Sequence, residues 1–236
     1  DVESIGIVHV FSCAPPFEEL FSIEPTGNIG DQIGYSVAGI GDVNLDGYGD
    51  ILIGAPFTSY DPLFRIPTGR AIVASGADGT VLYDIAGTVY PPPYQFLGEA
   101  FGLSVSGAGD ANNDGYPDFL VGAPSAVILE LSKPIVPFVA GRVVLYSGFD
   151  GSVIREWNGN EYYGEFGRAV SSAGDLNQDG FADVLVGQPN AYFIGRPRPG
   201  YVYAYSGDDG SELQKIASNF QFQPGDGSYD DFGAAV

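Results

Sequence analysis

Short apolar runs closed by glycine and proline recur along the chain: ILIGAP at 51–56, FLVGAP at 119–124 and VLVGQP at 184–189. Each is preceded by a segment of small residues, IGYSVAG from Ile33, FGLSVSG from Phe101 and FGRAVSS from Phe166. Each is followed by a longer block: GRAIVASGADGTVLYDI from Gly69, GRVVLYSGFDGSVIREW from Gly141 and GYVYAYSGDDGSELQKI from Gly200. These blocks predict four short strands per unit, which we label A (small residues), B (the ILIGAP type), C (the GRAIVAS type) and D (the TVLYDI type). Strands C and D are joined by SG-x-DG, a tight-hairpin signal in which glycine supplies a positive φ. The acidic residue of that turn, Asp78, Asp150 or Asp209, is assigned to turn chemistry.

A repeat of this period fixes the expected architecture before any single residue does. Asp42, Asp110 and Asp175 open equivalent loops and stand 68 and then 65 residues apart. Four antiparallel strands per unit at that spacing predict an all-β fold, a β-propeller of four-stranded antiparallel blades. Strand C is apolar on both faces, as in Val143, Val144, Leu145 and Tyr146, which suits a sheet packed between neighbours. Strand A is small, as in Gly34, Ser36, Ala38, Gly102, Ser104, Ser106, Gly167 and Ala169, which suits a crowded central axis. A two-sheet sandwich is the competing fold, but it does not by itself explain the repeat. The expected boundaries are complete blades at 31–90, 99–158 and 164–218. Strands C and D of a partial blade fall within 1–30 (GIVHVFSC from Gly6, then EELFSI from Glu18), and strand A of a further blade within 231–236. We expect a single propeller domain or a segment of a larger ring, completed by further sequence or by another chain. Self-assembly through the incomplete terminal blades is a second possibility.

Composition narrows the function. The chain has 236 residues, a hydrophobic fraction of 44% and a formal net charge of −21 with nine Lys and Arg in total. It carries no basic run to neutralise phosphates, so nucleic acid is not an expected partner, and cations are. Cys13 stands alone, so no internal disulfide can form. No stretch is apolar over the roughly 18 residues a spanning helix needs, and no signal peptide is evident. With no methionine, the sequence reads as a processed or excised piece of a longer product.

The acid is concentrated where strand A meets strand B. DVNLDGYGD (42–50) recurs as DANNDGYPD (110–118) and DLNQDGFAD (175–183). Carboxylates about 4–5 Å apart repel by roughly 3–4 kcal/mol per pair at an effective dielectric near 20, so a cation is expected among them. Loop positions 1, 3, 5 and 9 supply side-chain oxygens, position 6 is a glycine that permits the turn, and position 7 offers a backbone carbonyl. The expected ligands are Asp42, Asn44, Asp46, Tyr48 and Asp50; Asp110, Asn112, Asp114, Tyr116 and Asp118; and Asp175, Asn177, Asp179, Phe181 and Asp183. All-oxygen ligation of about six groups suits Ca²⁺ better than Mg²⁺, giving three expected calcium sites. The flanks are β-like and no Glu stands at position 12, so this is not an EF-hand.

Taken together, the FG that opens a unit, GD-x-N-x-DG-x-x-D in its middle and VGAP at its end resemble the FG-GAP repeat of integrin α-subunit propellers. The resemblance spans nearly the whole chain and departs from the pattern at Ile33 (for Phe) and Gln188 (for Ala). It implies a propeller of about seven blades, within the usual range of roughly 4 to 8. It also implies calcium on the lower face and an extracellular, cell-surface adhesion or recognition role without catalysis.

Strand order puts A–B and C–D turns on one face and B–C and D–A connections on the other. Recognition of a protein or glycan ligand is therefore expected from the irregular aromatic loops opposite the acidic ones. The candidates are Tyr60, Phe64, Tyr94, Phe96, Tyr162, Tyr163, Tyr192, Phe193, Phe222, Arg196 and Arg198. The alternative is a lectin-like propeller, in which these tyrosines and Trp157 stack on sugars. The lone His9 shares a strand region with Cys13, but nothing supplies an orienting third group, and no catalytic residue is expected.

Overall fold

A computed structural model describes residues 6–24, 30–59, 66–92, 94, 96–128, 138–189, 199–219 and 231–236. The candidates Tyr60, Phe64, Tyr192, Phe193, Arg196, Arg198 and Phe222 lie outside these residues. The described residues are all β and turn, with no helix, and hence none long and apolar enough to cross a membrane.

The strands follow the repeat. A two-stranded ribbon of β1 (Val8–Phe11) and β2 (Glu19–Ile23) comes first. The first sheet pairs β3 (Ser36–Gly41), β4 (Asp50–Ala55), β5 (Arg70–Ala74) and β6 (Val81–Ala86) in chain order. In the second unit β7 (Ser104–Gly109) and β8 (Asp118–Ala123) precede a short ribbon, β9 (Val127–Ile128) with β10 (Phe138–Val139). Then β11 (Arg142–Tyr146) and β12 (Val153–Asn158) complete the sheet. The third sheet is β13 (Ala169–Gly174), β14 (Asp183–Gln188), β15 (Tyr201–Tyr205) and β16 (Glu212–Ala217). These are the expected A, B, C and D strands, all antiparallel, and three such sheets in succession are consistent with propeller blades. The ribbon inside the second B–C connection was not expected from the sequence. Residues 231–236 form a turn with no strand pairing, where strand A was expected; Phe232 and Gly233 rest on Gly200 and Gly187 of the third unit.

The first two sheets bury both faces, one against each neighbour, and the third buries the face toward the second while its β16 is exposed throughout. Side chains alternate across a strand, so Leu52 and Val73 of the first sheet meet Phe119, Val121, Val144 and Tyr146 of the second in one core cluster. Residues of opposite parity, Leu120, Val143 and Leu145, point the other way and pack with Val184, Val186 and Tyr203 of the third. Ile53, Ile72 and Ala74 do the same against Val8, Phe21 and Ile23 of the first ribbon. Burying a large side chain such as Phe119 stabilises the fold by about 1.5–3 kcal/mol, so these junctions supply much of the driving force.

The glycines of the repeat mark where backbones touch across a junction. Phe101 is fully buried, donates its N–H to the Thr68 carbonyl at 3.1 Å and forms a parallel bridge with Gly69. Gly102 next to it donates to Gly122 of its own sheet at 3.0 Å, while its carbonyl reaches the first sheet and accepts from Ser36 Oγ at 2.9 Å. A β-carbon on Gly54 would overlap that carbonyl oxygen, and one on Gly122 would overlap the Gly167 oxygen of the next unit. The FG of each unit is thus seated on the glycine of the preceding VGAP-type strand. Strand D adds a second grip. Tyr83 Oη donates to the Gly148 and Phe149 carbonyls at 2.9 Å, and Trp157 Nε1 donates to the Gly210 carbonyl at 3.0 Å. Each joins one sheet to the hairpin of the next.

Adding a methyl group at Gly122 is therefore expected to cost about 3 kcal/mol or more through overpacking. Gly174→Ala meets open space and carries only a φ of +64°, so it is expected to cost about 1–2 kcal/mol. Urea unfolding of both variants checks this; equal losses would show that the junction yields to a methyl group at Gly122 and does not set the need for glycine there.

Candidate metal centre

Each acidic loop begins at a β-bulge. The β3–β4 register shifts between Gly39 and Gly41, β7–β8 between Gly107 and Gly109, and β13–β14 between Ser172 and Gly174. The extra residue turns the chain out of the ladder into the loop. Loop positions 4 and 6 then carry left-handed backbone, φ of 57° at Leu45 and 92° at Gly47, 58° at Asn113 and 91° at Gly115, 62° at Gln178 and 94° at Gly180.

This winding aims loop N–H groups at the side chains of positions 1, 3 and 5. Asp42 accepts from Asp46 N at 3.0 Å and Gly47 N at 2.8 Å, and Asn44 Oδ1 accepts from Asp46 N at 3.1 Å. Asp46 accepts from Tyr48 N at 2.8 Å and from Asn44 Nδ2 at 2.9 Å. Asp110, Asn112 and Asp114 repeat the pattern with Gly115 and Tyr116, and Asp175, Asn177 and Asp179 with Gly180 and Phe181. Asp42, Asn44 and Asp46 are therefore brought together, as are their counterparts. Tyr48 is 59% exposed, Tyr116 leans on Phe149 with centroids 4.9 Å apart, and Phe181 is half-buried; at this position only the carbonyl was expected to serve.

Position 9 stands apart from the other three. Asp50, Asp118 and Asp183 are buried, and each carboxylate spans two turns. Asp50 accepts from Val43 N at 2.8 Å and Gly76 N at 3.0 Å. Asp118 accepts from Ala111 N at 2.8 Å and Gly148 N at 3.1 Å. Asp183 accepts from Leu176 N at 2.7 Å and Gly207 N at 3.2 Å. The A–B loop and the C–D hairpin of each sheet are thereby tied to one another on one edge. Gly76, Gly148 and Gly207 allow it, since a β-carbon on any of them would overlap the carbonyl oxygen of Gly49, Pro117 or Ala182.

Electrostatics marks the loops as short of positive charge. Burial, set against N–H bonds from Gly148 and Ala111 and reinforced by repulsion from Asp114 and Asp110, pushes Asp118 up to about 6. Asp50 is raised for the same reasons, burial first. Asp46 is lowered by its bonds from Asn44 and the Tyr48 N–H. Among the described residues no Lys or Arg pairs with any of these carboxylates. Nor do three acidic, His or Cys side chains converge as a ready-made cluster, because the third carboxylate of each loop is turned to backbone N–H groups. A carboxylate oxygen has two lone pairs, so one N–H bond leaves room for a cation. The donor set, all oxygen and unopposed, fits a hard divalent ion.

Several functional neighbours escaped sequence reasoning. Ser75 Oγ donates to Asp46 at 3.2 Å and Ser206 Oγ to Asp179 at 3.4 Å; the serine of each SG hairpin was the available signal. Asp78, Asp150 and Asp209 cap their own turns as expected, accepting from Thr80 N at 2.9 Å, Ser152 N at 2.9 Å and Ser211 N at 2.8 Å.

On the connections opposite the acidic loops, Phe96 and Tyr163 are 55% and 57% exposed, while Tyr94 and Tyr162 are half-buried. The connection bearing Tyr94 and Phe96 is anchored by the fully buried Glu99. Glu99 accepts from Thr88 N, Tyr90 Oη (3.1 Å), Arg142 Nε (3.0 Å) and Arg142 Nη2 (2.8 Å). Trp157, expected to stack on sugars in the lectin reading, is corrected here. It is buried on β12, its ring beside Tyr205 and its N–H spent on Gly210. His9 pairs with Glu19 at 2.9 Å, and Cys13 lies exposed beyond the end of β1.

Compared with known proteins, the sequence matches the FG-GAP repeat over residues 33–66, 101–146 and 166–205. It is 31% identical to integrin alpha-8 of Gallus gallus over 193 residues, 80% of this chain and 17% of that protein. Human integrin alpha-8 is 29% identical over 81% of this chain and 16% of its own length, and integrin alpha-V of Gallus gallus 30% identical over 74% and 15%. The chain thus spans about a sixth of the length of these relatives. A solved rhamnogalacturonan lyase, YesW, aligns over 89% of this chain and 37% of its own at a TM-score of 0.45 and 15% identity, too loose a likeness to carry an argument.

Replacing Asp118 by Ala leaves the N–H groups of Ala111 and Gly148 unpartnered, at about 1–3 kcal/mol each. Asp118→Ala should therefore be destabilised by on the order of 3 kcal/mol even in chelator, whereas Asp114→Ala should lose little there. Denaturant titrations in excess chelator separate the two; equal losses would remove the distinction between a buried tie and a rim ligand.

Proposed function

The chain belongs to the FG-GAP repeat family, and from that premise we propose that it is a calcium-stabilised, non-catalytic, extracellular recognition module built as part of a β-propeller. The observation that carries this reading is the threefold recurrence of one loop, with the same hydrogen bonds and no paired Lys or Arg among the described residues. Calcium, when bound, neutralises the clustered carboxylates and fixes the loop. Asp42, Asn44 and Asp46, the Tyr48 carbonyl and Asp50 would hold one ion. Asp110, Asn112, Asp114, the Tyr116 carbonyl and Asp118 would hold a second, and Asp175, Asn177, Asp179, the Phe181 carbonyl and Asp183 a third. Because Asp50, Asp118 and Asp183 also hold the hairpin glycines, binding at the rim would stiffen the whole acidic edge. The metal role is accordingly structural.

Recognition falls to the other edge. The D–A connections there present Phe96 and Tyr163 from a framework that Glu99 and the FG seats hold in place. Exposed aromatics on a rigid scaffold favour a protein ligand. The glycan alternative is weakened by the burial of Trp157.

Isothermal titration of the metal-free protein should give three calcium ions per chain, falling to two in Asp46→Ala. At a free calcium concentration about 100-fold above Kd each site adds about 2.7 kcal/mol. Chelation should therefore lower Tm by on the order of 10 °C or more, at roughly 2–4 °C per kcal/mol for a chain of this size. An unchanged melt in chelator, with no titration heat, would sink the calcium reading.

A further inference from the structure

The third unit departs from the repeat at Gln188, which stands where the first two units carry Ala55 and Ala123. Its side chain is fully buried, and neither Oε1 nor Nε2 has a hydrogen-bond partner. In β14 and β15, Gln188 pairs with Tyr201 and Val186 with Tyr203, so Gln188 and Tyr203 project from one face, toward the second sheet. The buried Tyr203 hydroxyl is also without a partner. Two polar side chains on one face of the sheet, both sealed from solvent and unbonded, are unusual in a folded protein and point to an occupant.

The preceding junction shows what is missing. There the residue two before the FG phenylalanine is Glu99, and the first residue of β11 is Arg142. Thr88 N, Tyr90 Oη and Arg142 together meet both carboxylate oxygens. At the next junction Glu99 is replaced by Gly164 and Arg142 by Tyr201. A β-carbon on Gly164 would lie 2.9 Å from Gln188 Nε2 and 3.0 Å from its Cδ. The Gln188 amide, reaching in from the opposite sheet, fills the space that a side chain at 164 would occupy, without the donors that served Glu99. Its Oε1 needs a donor and its Nε2 an acceptor. Burial, and then the Glu161 carboxylate, keep the Tyr203 phenol protonated, so its hydroxyl both donates and accepts.

We propose that the junction between the second and third sheets is a closed hydration site, in which an internal water bound by the Gln188 amide and the Tyr203 hydroxyl replaces the Glu99–Arg142 ion pair of the junction before it. Water is the chemical class that fits, since it is small, neutral, and both donor and acceptor. The junctions of the repeat would then be alike in backbone and different in filling, one ionic, the other neutral and hydrated.

A high-resolution crystal structure of the chain tests this directly. Water density is expected within about 2.7–3.2 Å of a Gln188 amide atom, in hydrogen-bonding reach of Tyr203 Oη. It should vanish in Gln188→Met, which keeps the volume but cannot hold a water. In Gly164→Glu/Gln188→Ala/Tyr201→Arg, which transplants the ion pair, it should be displaced by a bonded carboxylate. Absence of density at Gln188, persistence of the same density in Gln188→Met, or an amide bonded to side chains of residues 190–198 would each overturn the proposal.

Discussion

Backbone meets backbone at every junction between sheets, and the remaining architecture depends on that close approach. The Gly102 carbonyl lies over Gly54, and the Gly167 carbonyl over Gly122, at positions where any β-carbon would intrude. With the backbones in register, Leu52 and Val73 can reach Phe119 and Val144, and the same spacing recurs between Leu145 and Val184. The apolar cores are therefore a consequence of the glycines as much as of the large side chains beside them. The close approach also settles which edge of each sheet carries which turns, because the FG seat lies at the end of strand A remote from the acidic loop.

On the acidic edge, repulsion between carboxylates is tolerated because local donors absorb much of it. Asp42 and Asp46 accept N–H groups of their own loop, and Asp50 accepts one from the loop and one from the hairpin. These bonds preform the loop but bring no full positive charge to it, and Asp118 is raised by its burial and then by repulsion from Asp114 and Asp110. Geometry is fixed by hydrogen bonds and charge is left for a cation to balance; the two tasks fall to different lone pairs of the same oxygens.

Much of this was legible in the sequence. Strand order and the turn role of Asp78 followed from periodicity and glycine placement, both properties of local chain geometry. What could not be read were relations between units. Asp50 counted as one more loop oxygen, and only the fold reveals it buried beneath the Gly76 N–H. Glu99 and Arg142 are 43 positions apart in the chain, and nothing in either segment announces their pairing. Nothing in strand D announces that the hairpin of the following sheet covers Trp157. The FGAAV segment carries the motif and sits against Gly187 and Gly200, yet it forms only a turn, since strand A exists by virtue of the strand B beside it.

The joint made by an FG dipeptide on the VGAP glycine before it, with strand D reaching forward to the next hairpin, runs in one direction along the chain. Each unit carries a plug on one side and the matching socket on the other, so the interface is head to tail. A duplicated unit inserted between two others would find both of its contacts already complementary, with no compensating change elsewhere. Gene duplication could thus lengthen such an array one unit at a time, while single residues such as Gln188 remain free to give each joint its own character.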